Sequence, residues 1–172
     1  GFDLTVAAMA TPAALERVAF EAAEDARTDG CVLAEFRIAP LLFEAHGLSG
    51  QATIEALLAG LRRSVLPSGL IVCAMRHLPA EQTVRAARLA LACKDHGVIG
   101  FDLAGAERGH PPGEHARALH AARDGGLPLT LHAGEADDHH QRRYSEERLF
   151  HGADNLPDFQ QRRAGQDGGE RF

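Results

Sequence analysis

The sequence has no apolar stretch approaching the about 20 residues that a membrane-spanning helix needs, so a membrane protein is not expected. It has no excess of positive charge. Its 18 Lys and Arg stand against 24 Asp and Glu, a formal net charge of −6, which argues against a nucleic-acid-binding surface. No charged-then-apolar stretch opens it, so a secretory leader is not expected in this part of the sequence. Cysteines are few: Cys31, Cys73 and Cys93 are far apart, odd in number, and each in or beside an apolar run. Such spacing speaks against a disulfide framework and a Cys-x-x-Cys metal site. It fits thiols acting as small hydrophobes in a reducing cytoplasm.

What is present is the composition of an ordinary globular domain. The 172 residues are 45% hydrophobic and 24% charged, enough to bury a sizeable core. Helical and strand patterns alternate with short loops. Thr11-Pro12 reads as a helix start, with Thr able to cap and Pro tolerated in the first turn. Leu15, Val18, Ala19 and Ala22 follow with helical spacing, and Asp29-Gly30 ends the run. Cys31 to Ile38 is short and apolar enough for a buried strand. The unit then recurs. Ile54, Leu57, Leu58 and Leu61 predict a second helix, and Leu70 to Met75 a second strand. Val84, Ala87 and Leu91 predict a third helix after Pro79, and Val98 to Leu103 a third strand. A fourth helix is expected from about Gly113 to Arg123, followed by a strand over Leu127 to His132.

Strands with near-continuous apolar content alternating with helices indicate a parallel sheet covered by helices, the α/β class. Both a doubly wound sheet and part of a TIM barrel fit that pattern. Beyond Asp138 the character changes. Residues 138–172 contain no Val, Ile or Thr and form a polar tail expected to be disordered, with a short helical stretch near Ser145–Phe150.

Strand alternation puts polar side chains where α/β folds bind ligands. Thr130 and His132 oppose Leu127, Leu129 and Leu131, and Asp102 is expected on the same side as Val98 and Gly100, opposite Ile99, Phe101 and Leu103. Glu35, Arg37, Arg76, Asp102 and His132 all fall near C-terminal strand ends, most facing inward. Glu35, Arg37, Arg76 and Asp102 could equally form a buried ion-pair network that fixes strand register. The helix and loop histidines are expected to be solvated. In His132-Ala133-Gly134-Glu135, a histidine at a strand end is a natural metal ligand. Gly134 permits a sharp turn and Glu135 can serve as a general acid or base, although a satisfied core histidine fits this short motif as well.

Four motifs together resemble the adenosine deaminase family in order and spacing. They are Ala34-Glu35-Phe36-Arg37-Ile38-Ala39-Pro40, Cys73-Ala74-Met75-Arg76-His77, Gly100-Phe101-Asp102-Leu103-Ala104-Gly105 and His132-Ala133-Gly134-Glu135. Gly1-Phe2-Asp3 resembles the segment preceding the first helix, and the likeness carried by these motifs covers about residues 1–137. The resemblance implies part of a TIM (β/α)8 barrel, and hydrolytic deamination of adenosine or a related purine nucleoside to inosine and ammonia. It implies one Zn2+ ion with His132 among its ligands. Glu135 would protonate the purine ring, and the backbone N–H of Gly105 would contact a purine nitrogen.

Departures from the family pattern are equally informative. The family's His-x-His pair does not precede Cys31, and its later Asp-Asp run is not found downstream. Ala106 stands where many members have Asp, while Glu107 is kept. His139 and His140 lie in the polar tail and are expected to be solvated. A catalytic zinc usually takes about three protein ligands. The chain by itself is therefore expected to be an inactive fragment with a divergent tail. The rival expectation is a non-catalytic α/β module that needs a partner to complete its fold, with self-association through open sheet edges. The cytidine-deaminase type is disfavoured, because its His-x-Glu and Pro-Cys-x-x-Cys signature is missing.

Overall fold

Thr11 does begin a helix. In the computed structural model, which describes residues 2–134, its hydroxyl accepts a hydrogen bond from the Ala14 N–H at 3.2 Å and Pro12 occupies the first turn. Glu135, the tail from 138 and the helical stretch expected at Ser145–Phe150 lie outside the described residues. The helix so capped, α2 (Pro12–Thr28), follows a short helix α1 (Phe2–Met9) that the residue pattern did not reveal. The reason is visible in its burial: only Val6 of α1 is buried, so there is no apolar stripe to read. In α2 the buried stripe is Leu15, Ala19 and Ala23, while the expected Val18 is 40% exposed.

Then follow β1 (Ala34–Ile38), a 3-10 segment over Pro40–His46, α3 (Gly50–Leu61), β2 (Ser68–Met75), α4 (Ala80–Ala92), β3 (Val98–Ala104), α5 (Ala116–Asp124) and β4 (Leu129–Leu131). The strand β1 starts three residues later than Cys31, because its partner β2 begins only at Ser68 and Ala34 is the residue that faces it. Cys31, Val32 and Leu33 are exposed. Ser49 caps α3 by accepting from the Ala52 N–H at 3.2 Å, and Ile54, Leu57, Leu58 and Leu61 are all buried as their spacing predicts. In α4 the most buried residues are Thr83, Ala86, Ala87 and Ala90, while Val84 and Leu91 pack at the margin of the core.

The four strands are parallel and ordered β1-β2-β3-β4. Sequential order distinguishes a barrel segment from a doubly wound sheet, whose order reverses at a switch point. These are four consecutive strands of a TIM barrel with their connecting helices. Leu70, Val72 and Ala74 of β2, with Val98, Phe101 and Leu103 of β3, form one core with residues of the covering helices, Leu15, Ile54, Ala87 and Leu119 among them. The helices α2 and α3 pack against each other so closely that a Cβ on Gly60 would overlap the Glu16 carbonyl oxygen. Among the described residues no helix is long and apolar enough to cross a membrane.

One strand departs from simple alternation. The register of β2 and β3 shifts between Leu70 and Ile71, which pair with Val98 and Gly100. Ile99 is thus an extra residue, and its side chain lies over Gly69. Contrary to the expected alternation, Val98 shares the helix-facing core with Phe101 and Leu103. The bulge resets the phase, so Asp102 still ends on the opposite, inner face.

Candidate functional site

Register brings three polar side chains into a row across the sheet. Cys73 of β2 pairs with Asp102 of β3, and Asp102 pairs with Thr130 of β4. His132, two residues beyond Thr130, shares its face. The Asp102 carboxylate is fully buried and lies at the centre of this group. Its Oδ1 accepts from the Thr130 hydroxyl at 2.9 Å. Its Oδ2 lies 2.8 Å from His132 Nδ1 and accepts from the Cys73 thiol at 3.2 Å. Arg37 Nε stands 4.0 Å from the same oxygen, on a side chain 44% exposed, and contributes charge at a distance.

A carboxylate only accepts, so its contacts assign the protons: His132 donates from Nδ1 while Cys73 donates S–H. Burial, reinforced by the adjacent Asp102 charge, pushes the Cys73 thiol well above its ordinary pKa and keeps it protonated. The Cys73 side chain is therefore a polar strut, not the small hydrophobe its apolar neighbours suggested. Of the other thiols, Cys31 is exposed and Cys93 buried.

The main chain of His132 is held from both sides. Its N–H donates to the Leu103 carbonyl at 3.0 Å, and its carbonyl accepts from the Arg76 guanidinium. Arg76 is buried at the end of β2, and its own carbonyl lies 2.9 Å from His115 Nε2. His115 Nδ1 in turn lies 2.8 Å from the Thr83 hydroxyl. Since a carbonyl only accepts, His115 carries its proton on Nε2 and Thr83 donates to Nδ1. This histidine was expected to be solvated, yet it is buried in the 3-10 turn Pro112–His115 that leads into α5. A helical reading from Gly113 put it on an exposed face. Only the approach of α4 to that turn shows that it points inward.

Of the expected ion-pair network of Glu35, Arg37, Arg76 and Asp102, the described contacts include one pair, Arg37 with Asp102 at 4.0 Å. Glu35 is exposed near the start of β1, because that strand begins at Ala34, and Arg76 is directed to a main-chain carbonyl. Gly105 follows β3 with φ of +95°, and a Cβ there would stand 2.7 Å from His77 Nδ1. The His77 ring thus packs directly against the Gly105 backbone, in space that any side chain there would need. Glu107 accepts from the Gly134 N–H at 2.7 Å and ties the loop after β4 to the loop after β3. The His132 side chain is 34% exposed. Among the described residues no three His, Cys, Asp or Glu gather to hold a metal.

Comparison with known proteins agrees with this picture. The family model described as adenosine deaminase matches residues 1–160, further along the chain than the quoted motifs reach. An adenosine deaminase of Mycobacterium ulcerans is 44% identical, the match covering 78% of this chain and 39% of that protein. One of Mycobacterium tuberculosis is 43% identical with the same coverage. The chain thus spans about two fifths of the length of the curated relatives it matches. Among solved structures, the N6-methyl-AMP deaminase of Arabidopsis thaliana superposes with a TM-score of 0.70 at 27% identity, covering 78% of this chain and 43% of that one. An amidohydrolase from Burkholderia ambifaria, solved with bound zinc, superposes with a TM-score of 0.78 at 24% identity, covering 84% and 43%, and supports the fold alone. Four parallel strands with covering helices, the motifs at the strand ends and a match over most of the chain lead to one statement: this chain belongs to the adenosine deaminase family.

Proposed function

We propose that this chain is part of a zinc-dependent deaminase that hydrolyses adenosine, or a related purine nucleoside, to inosine and ammonia. The observation that carries the proposal is the setting of His132. Its Nδ1 is anchored on a fully buried carboxylate at a C-terminal strand end, and its ring remains partly exposed. A histidine whose far nitrogen is held by a carboxylate suits metal ligation through the other nitrogen. The fit is to one ligand of such a site, and the remaining ligands would come from outside the described residues. When bound, zinc lowers the pKa of water to about 7 and so supplies a hydroxide nucleophile at neutral pH.

The chain's own residues take the other roles. Gly105, in the Gly100–Gly105 motif that resembles the family's, offers its backbone N–H to a purine nitrogen. Glu135, three residues after His132, protonates the ring nitrogen next to the attacked carbon, offsetting negative charge as water adds and ammonia leaves. Glu107 holds the Gly134 N–H and so fixes the chain just ahead of Glu135 in sequence. The 172-residue chain alone is expected to be inactive for want of the other ligands.

The test is zinc per molecule by elemental analysis, with conversion of adenosine to inosine followed in the same sample. The chain alone should show little zinc and no turnover. Supplying the rest of the barrel as a second polypeptide should restore both, and His132→Ala should abolish both. Restored turnover with His132→Ala would overturn the assignment.

A second reading is a non-catalytic module completed by another copy of the chain. Val32, 85% exposed, and Leu33, 61% exposed, lead into the edge strand β1 and favour it. Sedimentation showing a monomer would remove this reading.

A further inference from the structure

Asp102 is bound by more groups than holding one histidine requires. Its Oδ2 takes His132 Nδ1 at 2.8 Å and the Cys73 thiol at 3.2 Å, while its Oδ1 takes the Thr130 hydroxyl at 2.9 Å. The carboxyl torsion of aspartate is broad and roughly two-fold when unrestrained. Donors on both oxygens from strands on either side remove that freedom. At the same time the main chain of His132 is fixed by Leu103 and Arg76, so the imidazole meets Asp102 in one orientation.

We infer that Cys73 and Thr130 are positioning residues: by clamping both oxygens of Asp102 they hold His132 in its Nδ1–H tautomer and leave Nε2 as its ligating nitrogen. The inference rests on the reading of His132 as a ligand and extends it to two side chains that reach His132 through Asp102. Neither residue is a nucleophile or a ligand here. Cys73 is buried behind the carboxylate, and the hydroxyl of Thr130 is directed to Oδ1.

The experiment uses the full 172-residue chain labelled with 15N-histidine, zinc-free, at a pH where the imidazoles are neutral. Long-range 1H–15N correlation separates the two tautomers of each ring. His132 should show a protonated Nδ1 and a bare Nε2. Thr130→Val and Cys73→Ala should each lose this single pattern in favour of a mixture, and Thr130→Ser and Cys73→Ser should restore it. His115, pinned on Nε2–H by the Arg76 carbonyl, serves as the folding control in the same spectrum.

A wild-type His132 protonated on Nε2 overturns the inference outright. So does an unchanged Nδ1–H pattern in both apolar variants, or failure of both serine variants to restore it. If Thr130→Val also loses the His115 pattern, Cys73→Ala and the serine variants decide. Zinc titration of the chain supplied with the rest of the barrel separates the two levels of argument. Zinc uptake at His132 with an Nε2–H tautomer would sink the clamp alone. An Nδ1–H tautomer without any zinc uptake would sink the metal reading and leave the clamp standing.

Discussion

Arg76 and His132, 56 residues apart in sequence, are joined by a hydrogen bond from the buried guanidinium of one to the main-chain carbonyl of the other. The donor sits at the end of β2 and the acceptor just past β4, so the bond spans the intervening strand β3. The same arginine anchors its backbone to Ala104, through its N–H at 2.7 Å, and to His115 through its carbonyl. A residue whose side chain and main chain together tie three strand ends and the turn before α5 sets the height at which His132 stands above the sheet.

Removing that tie should be costly. Arg76→Ala deletes a charged donor and leaves a void among packed groups, a loss of about 3 kcal/mol. Urea unfolding followed by circular dichroism should show a lower midpoint at unchanged slope. An unchanged midpoint would mean that the strand ends are held by other contacts.

The Thr83–His115 pair should matter through its hydroxyl. Thr83→Val is close to isosteric but leaves His115 Nδ1 without its donor, at a cost of roughly 1–3 kcal/mol. Thr83→Ser keeps the hydroxyl and should lose less. Comparing the two by thermal unfolding tests the assignment, and equal losses would show that the methyl group, not the hydroxyl, carries the effect.

Gly60 offers a test of sign. In an exposed helix interior, Gly→Ala stabilises by about 1 kcal/mol. Here the new methyl would meet the Glu16 backbone carbonyl and lie 2.9 Å from Ala19 Cβ, and backbone cannot yield cheaply. Gly60→Ala should therefore destabilise by roughly 1–3 kcal/mol. A rise in stability would contradict the close α2–α3 crossing.

The cysteines should differ in reactivity and in their dependence on pH. Cys31 is exposed and should react with a thiol reagent in the native state, whereas Cys73 and Cys93 should react only after unfolding. Burial raises both buried thiols, and the Asp102 charge adds to the effect at Cys73. A thiol whose pKa is raised in the fold stays protonated there while its unfolded counterpart ionises. Its contribution is complete below the ordinary thiol range of about 8.5 and is lost as pH rises above it. Stability should thus fall on the alkaline side, and Cys73→Ser should flatten that fall. Native-state labelling of Cys73 at a rate like that of Cys31 would refute its burial.

The order of helices and strands was legible in the residues, because alternation and helical spacing are local properties that burial of one face imposes. Leu57, Leu58 and Leu61 are buried as their spacing indicates, and Thr130 and His132 share a face as strand alternation requires. The motifs at the strand ends likewise sufficed for the family, since the comparisons agree with them. Phase and partnership were not legible. The bulge at Ile99 arises where two strands fall out of step, which neither strand states alone. The barrel order β1-β2-β3-β4, rather than a doubly wound one, depends on the side to which each new unit is added. Cys73 looked apolar among its neighbours, and His115 looked exposed on its helix. Each found its partner about 30 residues away only after the sheet register and the packing of α4 had been set. Hydrogen bonds reach about 3 Å, so which polar groups meet is decided by tertiary placement at that precision, whereas periodicity in sequence resolves only the face of an element.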